Sequence, residues 1–88
     1  MANLRDLKKD INFVLGDIID ATYVHEAVHP EADKKKTDAI VEDAISTFDT
    51  LMAKVSDRKV DNRKAHLKAV RVELETKASD LVARINAL

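Results

Sequence analysis

Apolar residues recur at alternating intervals of three and four along the first third of the chain. The series consists of Leu4, Leu7, Ile11, Val14, Ile18, Ala21, His25 and Val28, and it is widened by Leu15, Ile19 and Thr22. This spacing keeps one face of an α-helix apolar, so it predicts a helix packed against the rest of the fold. We expect helix 1 over about residues 3–29, with Asn3 as its N-cap and Pro30 ending it.

Two further apolar series follow Pro30. The second consists of Val41, Ala44, Phe48, Leu51 and Val55, broadened by Ile45 and Met52. The third repeats every seven residues at Val60, Leu67, Leu74, Leu81 and Leu88, with Val70, Ala78, Val82 and Ile85 beside them. Because proline suits the first position of a helix, we expect helix 2 over residues 31–56. Helix 3 is expected over residues 61–87, with Asp61 as its cap.

No glycine or proline separates the second series from the third, so a single long helix has to be considered. Continuing Val41, Phe48 and Val55 by seven reaches Asn62, whereas the third series resumes at Val60, roughly 200° around the helix. This break in phase favours a corner. The predicted fold is all-α, a single domain over residues 1–88 folded as an up-down-up antiparallel three-helix bundle. The alternative is a helical hairpin with a long second helix that dimerises.

Composition narrows the functional classes. A chain of 88 residues forms one domain with a modest core, and its formal charge of −1 gives no general attraction to polyanions. The absence of cysteine excludes disulfides and thiolate metal sites and fits a reducing compartment. Charged residues interrupt the apolar residues of the first segment, so we expect neither a signal peptide nor a membrane span. We therefore expect a cytoplasmic protein with no membrane partner.

The stretch HEAVH, residues 25–29, matches the HExxH motif of zinc proteases, with His25 and His29 as ligands and Glu26 as general base. Such enzymes also need a third ligand and a substrate cleft. The extended motif asks for glycine and histidine at positions 32 and 35, where this chain has alanine and lysine. One Glu-x-x-His unit also falls short of the two that di-iron bundles use. We predict a non-enzymatic protein without a cofactor, and keep a metal-binding protein or metal-dependent hydrolase using these residues as an alternative.

A second stripe on helix 1 is acidic. It consists of Asp6, Asp10, Phe13, Asp17 and Asp20, spaced 4-3-4-3, with Gly16 adjacent. A solvated acidic face with one exposed aromatic explains the pattern, since single exposed apolar residues are common. In the alternative, the stripe is a contact surface, with Phe13 as its anchor and Gly16 permitting the close approach of another helix.

Basic residues dominate from residue 54 to residue 71, and Lys64, Lys68 and Arg71 share one helical face. The patch has no interleaved aromatic residue and no nucleic-acid-reading motif, which disfavours all but weak nucleic-acid binding. Charge complementarity instead suggests that the acidic stripe of one copy meets the basic helix 3 of another. We therefore predict an interaction or structural module that forms a homo-oligomer, a dimer, or binds another protein.

The opening MANLRDLKKDI, the corner HPEAD and the segment KAHLKAV resemble a group of small bacterial helical proteins that have no assigned function. The resemblance spans nearly the whole chain. It implies a stand-alone cytoplasmic helical domain and supplies no site residue.

Overall fold

The computed structural model describes residues 4–88, which form three α-helices. Helix α1 spans Leu4–Val28, α2 spans Lys34–Ser56 and α3 spans Arg63–Asn86, and each packs against both others. The predicted all-α three-helix bundle is confirmed. The alternative with one long second helix is wrong, because the chain leaves the helical conformation between Ser56 and Arg63.

Contacts between the helices give the direction of each. Lys54 Nζ, near the end of α2, lies 2.9 Å from Glu73 Oε1 in the first half of α3. Helices α2 and α3 are therefore antiparallel. Asp10 Oδ2, in the first half of α1, lies 2.8 Å from Arg71 Nη2, in the first half of α3. Helices α1 and α3 therefore run parallel. The chain therefore goes up, down and up, as the apolar series predicted.

The core lies along the axis between the three helices. Its buried apolar residues are Leu7, Ile11, Leu15, Ile18, Ile40, Val41, Ala44, Leu51, Val55, Val70, Leu74 and Leu81. Most belong to the predicted series, and Thr22, which was predicted to widen that series, is also fully buried, whereas Ala21 and Val28 are exposed. A straight helix has 3.6 residues per turn, so a series counted at 3.5 drifts off the buried face within a few turns.

Two threonines replace aliphatic residues in this core. Thr22 donates its hydroxyl to the carbonyl oxygen of Ile18 at 2.9 Å, and Thr37 donates to that of Lys34 at 3.1 Å. Both side chains are fully buried, and each polar atom has a partner in its own helix. The hydroxyls therefore enter the core without the cost of an unpaired buried group.

The corners differ from the predicted ones. Helix α2 begins at Lys34 rather than at residue 31, because Asp33 is its N-cap and accepts the Lys35 N–H at 2.9 Å. Pro30 thus belongs to the turn. Asn62, and not Asp61, caps α3, accepting the Ala65 N–H at 3.1 Å. Both predicted starts were wrong for one reason, since several residues at each corner can cap and sequence does not rank them. The predicted cap Asn3 lies outside the described residues.

Candidate functional site

Helix α1 carries most of the large apolar side chains that are exposed among residues 4–88. Seven large apolar side chains are exposed among residues 4–88, and four of them, Phe13, Tyr23, Val24 and Val28, are on α1. Phe13 is 53 % exposed, and the Lys9 ammonium lies 5.7 Å from the centre of its ring. A cation over an exposed aromatic ring contributes about 0.5–1 kcal/mol. The Phe13 ring is therefore partnered by Lys9 while much of it stays open to solvent.

The acidic stripe divides at Asp10. Phe13, Asp17 and Asp20 are exposed, as is Asp6. Asp10 is half-buried instead, and its carboxylate accepts a hydrogen bond from Arg71 Nη2 at 2.8 Å. The stripe therefore borders α3 at one point and faces solvent over the rest of its length.

The predicted basic patch is divided by the same ion pair. Lys64 and Lys68 are exposed, whereas Arg71 is half-buried against Asp10. Charge pairing between the acidic stripe and helix 3, which the sequence suggested between two copies, occurs here within one chain. Only the two lysines of the patch keep their charge directed to solvent.

Gly16 lies beside the acidic stripe, in a groove between α1 and α2. The groove encloses about 220 Å³ and is lined by Asn12, Leu15, Gly16, Ile19, Ile45 and Phe48. A Cβ atom built on Gly16 would meet nothing within 4 Å. Ile45, predicted to broaden the core, is 49 % exposed at the rim of this groove. The bundle thus leaves an open, largely apolar channel where α1 has no side chain.

The face between α2 and α3 has a different character. Lys54 Nζ contacts both carboxylate oxygens of Glu73 at 2.9 Å, and Arg84 pairs with Asp43. His66 Nε2 donates to the carbonyl oxygen of Lys54 at 2.6 Å. Polar contacts therefore join α2 and α3 along part of this face, and a groove of about 400 Å³ lined partly by Ala39, Ile40 and Leu88 lies near the end of α3.

The HEAVH stretch crosses the end of α1. His25 is half-buried in the last turn, and His29 follows the last helical residue, Val28. Their rings lie 4.7 Å apart between centroids. His29 Nδ1 contacts Glu31 Oε1 at 3.3 Å. The exposed Glu31 carboxyl accepts a hydrogen bond from the Glu31 backbone N–H and, more weakly, one from His29. Both hold the pKa of this carboxyl below its usual range.

Glu26 is the unusual member of this stretch. Its Oε1 atom is shielded from solvent and has no hydrogen-bond partner. Glu26 and His29 border a shallow groove of about 380 Å³, together with Tyr23 and Lys34. Within residues 4–88, no three His, Asp or Glu side chains are grouped so as to hold a metal ion. Within the described residues the arrangement supplies a pair of imidazoles without a third ligand grouped with them.

Sequence reasoning missed the apolar channel, although the chain contains a signal for it. Asn12, Gly16, Ile19 and Tyr23 are spaced 4-3-4, which places them along one line of α1 beside the acidic stripe. Tyr23 is 53 % exposed. The line contains one glycine and two large apolar residues, and it faces α2 rather than the bundle axis.

Comparison with protein-family models, with curated protein sequences and with solved structures found no match to this chain. The resemblance to small bacterial helical proteins therefore stays a prediction. Within residues 4–88, no helix has the length and apolar content that crossing a bilayer requires.

Proposed function

We propose that the protein is a non-enzymatic helical module of the cytoplasm that self-associates and acts through protein contacts. Two observations support this proposal: four of the seven exposed large apolar side chains among residues 4–88 are on α1, and α1 also borders the open channel at Gly16. Contiguous exposed apolar surface marks interaction sites, and the channel with Ile45 at its rim supplies such a surface. The absence of cysteine supports a reducing compartment.

Sedimentation velocity of the untagged protein, from low micromolar to high micromolar concentration, tests self-association directly. Phe13→Ala should weaken the dimer about fivefold or more, since truncating an interface anchor costs more than about 1 kcal/mol. Val72→Ala is the matched control, because Val72 is similarly exposed, at 54 %, but lies on α3. A protein that stays monomeric over this range, or that responds equally to both changes, would contradict the proposal.

Metal binding by His25, Glu26 and His29 is the second candidate function. It is supported by two imidazoles whose ring centroids lie 4.7 Å apart and by the shielded Glu26 oxygen, which has no partner. Histidines four residues apart at a helix end are a familiar pair of zinc ligands. Native mass spectrometry of untagged protein tests this candidate. One zinc or iron per chain, lost in His25→Ala, would support it, and metal-free protein in zinc-supplemented buffer would reject it.

A further inference from the structure

We infer that the second copy docks antiparallel along α1 and crosses it at Gly16 on a two-fold axis. This inference rests on the self-association proposed above and specifies its geometry. Gly16 lies at the midpoint of α1, with residues 4–15 before it and residues 17–28 after it. An antiparallel pair of helices crossing at that point overlaps along its whole length.

The space at the crossing point suits a second helix. The Cβ position of Gly16 has no neighbour within 4 Å, so the backbone of α1 is open to close approach there. Exposed Ile45 and half-buried Phe48 form the α2 side of the same channel. In a two-fold dimer each residue of this surface meets the same surface of the partner, so Gly16 lies against Gly16.

The charges on this face of α1 favour a second copy in the antiparallel direction. Arg5, Lys9, Asp20, Tyr23 and Ala27 all lie within about 40° of Gly16 around the helix axis. On this face the half before Gly16 therefore carries two cations, Arg5 and Lys9, and the half after it carries one carboxylate, Asp20. An antiparallel partner brings Lys9 of one copy beside Asp20 and Tyr23 of the other, and symmetry makes the contact twice.

Other arrangements satisfy these charges less well. A parallel partner would place Lys9 against Lys9 and Asp20 against Asp20, which is repulsive. Within one chain, Lys9 and Asp20 are separated by about 16 Å along α1, too far to pair with each other. The antiparallel direction also brings Arg5 to the carboxyl end of the partner helix, where a cation is favoured by the helix dipole.

A charge swap tests the crossing, measured by sedimentation of the untagged full chain. Lys9→Asp and Asp20→Lys should each weaken dimerisation about tenfold, because each places like charges opposite one another at both symmetric contacts. The double variant should restore the dimer to within about threefold of the original. Since these residues cannot pair within one chain, rescue requires contact between copies.

Gly16→Gln provides the steric test. It should abolish the dimer while leaving the circular dichroism of the monomer unchanged, because the Cβ has free space in the monomer. Ala69→Gln, at an exposed position on α3, is the control and should leave the dimer intact. A dimer unaffected by Gly16→Gln, or a double swap without rescue, would overturn the crossing geometry and leave self-association standing. A monomeric original protein would overturn both.

Discussion

Replacing Gly16 with alanine should stabilise the monomer. Glycine inside a helix is about 0.8–1.0 kcal/mol less favourable than alanine, because it loses more backbone freedom on folding. Gly16 does not have a positive φ, and an added methyl group would meet no atom within 4 Å. No steric cost therefore offsets the gain. We expect the free energy of unfolding to rise by about 1 kcal/mol, which corresponds to about 4–8 °C in Tm for a domain of this size.

Thermal and urea denaturation followed by circular dichroism would measure the change. The protein should be kept at the lowest workable concentration, because association adds stability that depends on concentration. Ser79→Ala, at an exposed position within α3, is the control for helix propensity alone and should add only about 0.5 kcal/mol. A destabilised Gly16→Ala variant would show that the channel is closed in solution, and would refute the argument from free space.

Three further experiments test the bundle itself. Leu74→Ala should cost about 2–5 kcal/mol by leaving a cavity, since Leu74 is buried on α3; a loss under 1 kcal/mol in urea denaturation would contradict this. A double-mutant cycle of Arg71→Ala and Asp10→Ala should give a coupling free energy of about 0.2–1 kcal/mol, because the ion pair is partly exposed. This coupling should fall with added salt. Zero coupling at low salt would contradict the prediction. Asn62→Ala should cost about 1 kcal/mol and Asp61→Ala little, because Asn62 caps α3; equal losses in thermal denaturation would reject that assignment.

The fold was readable from the sequence because its main signal is local. The spacing of Leu7, Ile11 and Ile18 marks one face of a helix without reference to any other residue. The break in phase between Val55 and Val60 likewise located the second corner. Burial of Thr37 was missed because a threonine reads as polar, although its hydroxyl bonds within its own helix.

The candidate site was only partly readable, because it depends on which helices meet. Phe13 and Gly16 were identified as surface features from their own helix. The pairing of Asp10 with Arg71 joins residues far apart in sequence. Their opposite charges predict that they attract each other, but do not show whether they pair within one chain or between two copies. Ile45 is exposed at the rim of the groove that it shares with Gly16, and the pattern within helix 2 does not show what lies across from it.

The ion pairs of the bundle give α3 a particular place in its unfolding. Each of the three inter-helix ion pairs given above joins α3 to a neighbour, through Arg71, Glu73 and Arg84. Helices α1 and α2 share the larger interface. Salt screens exposed charge pairs, so α3 should detach from the α1–α2 hairpin more often as ionic strength rises. Hydrogen exchange would then be accelerated by salt in the amides of α3 before those of α1, which makes this helix the ionic-strength-sensitive unit of the fold.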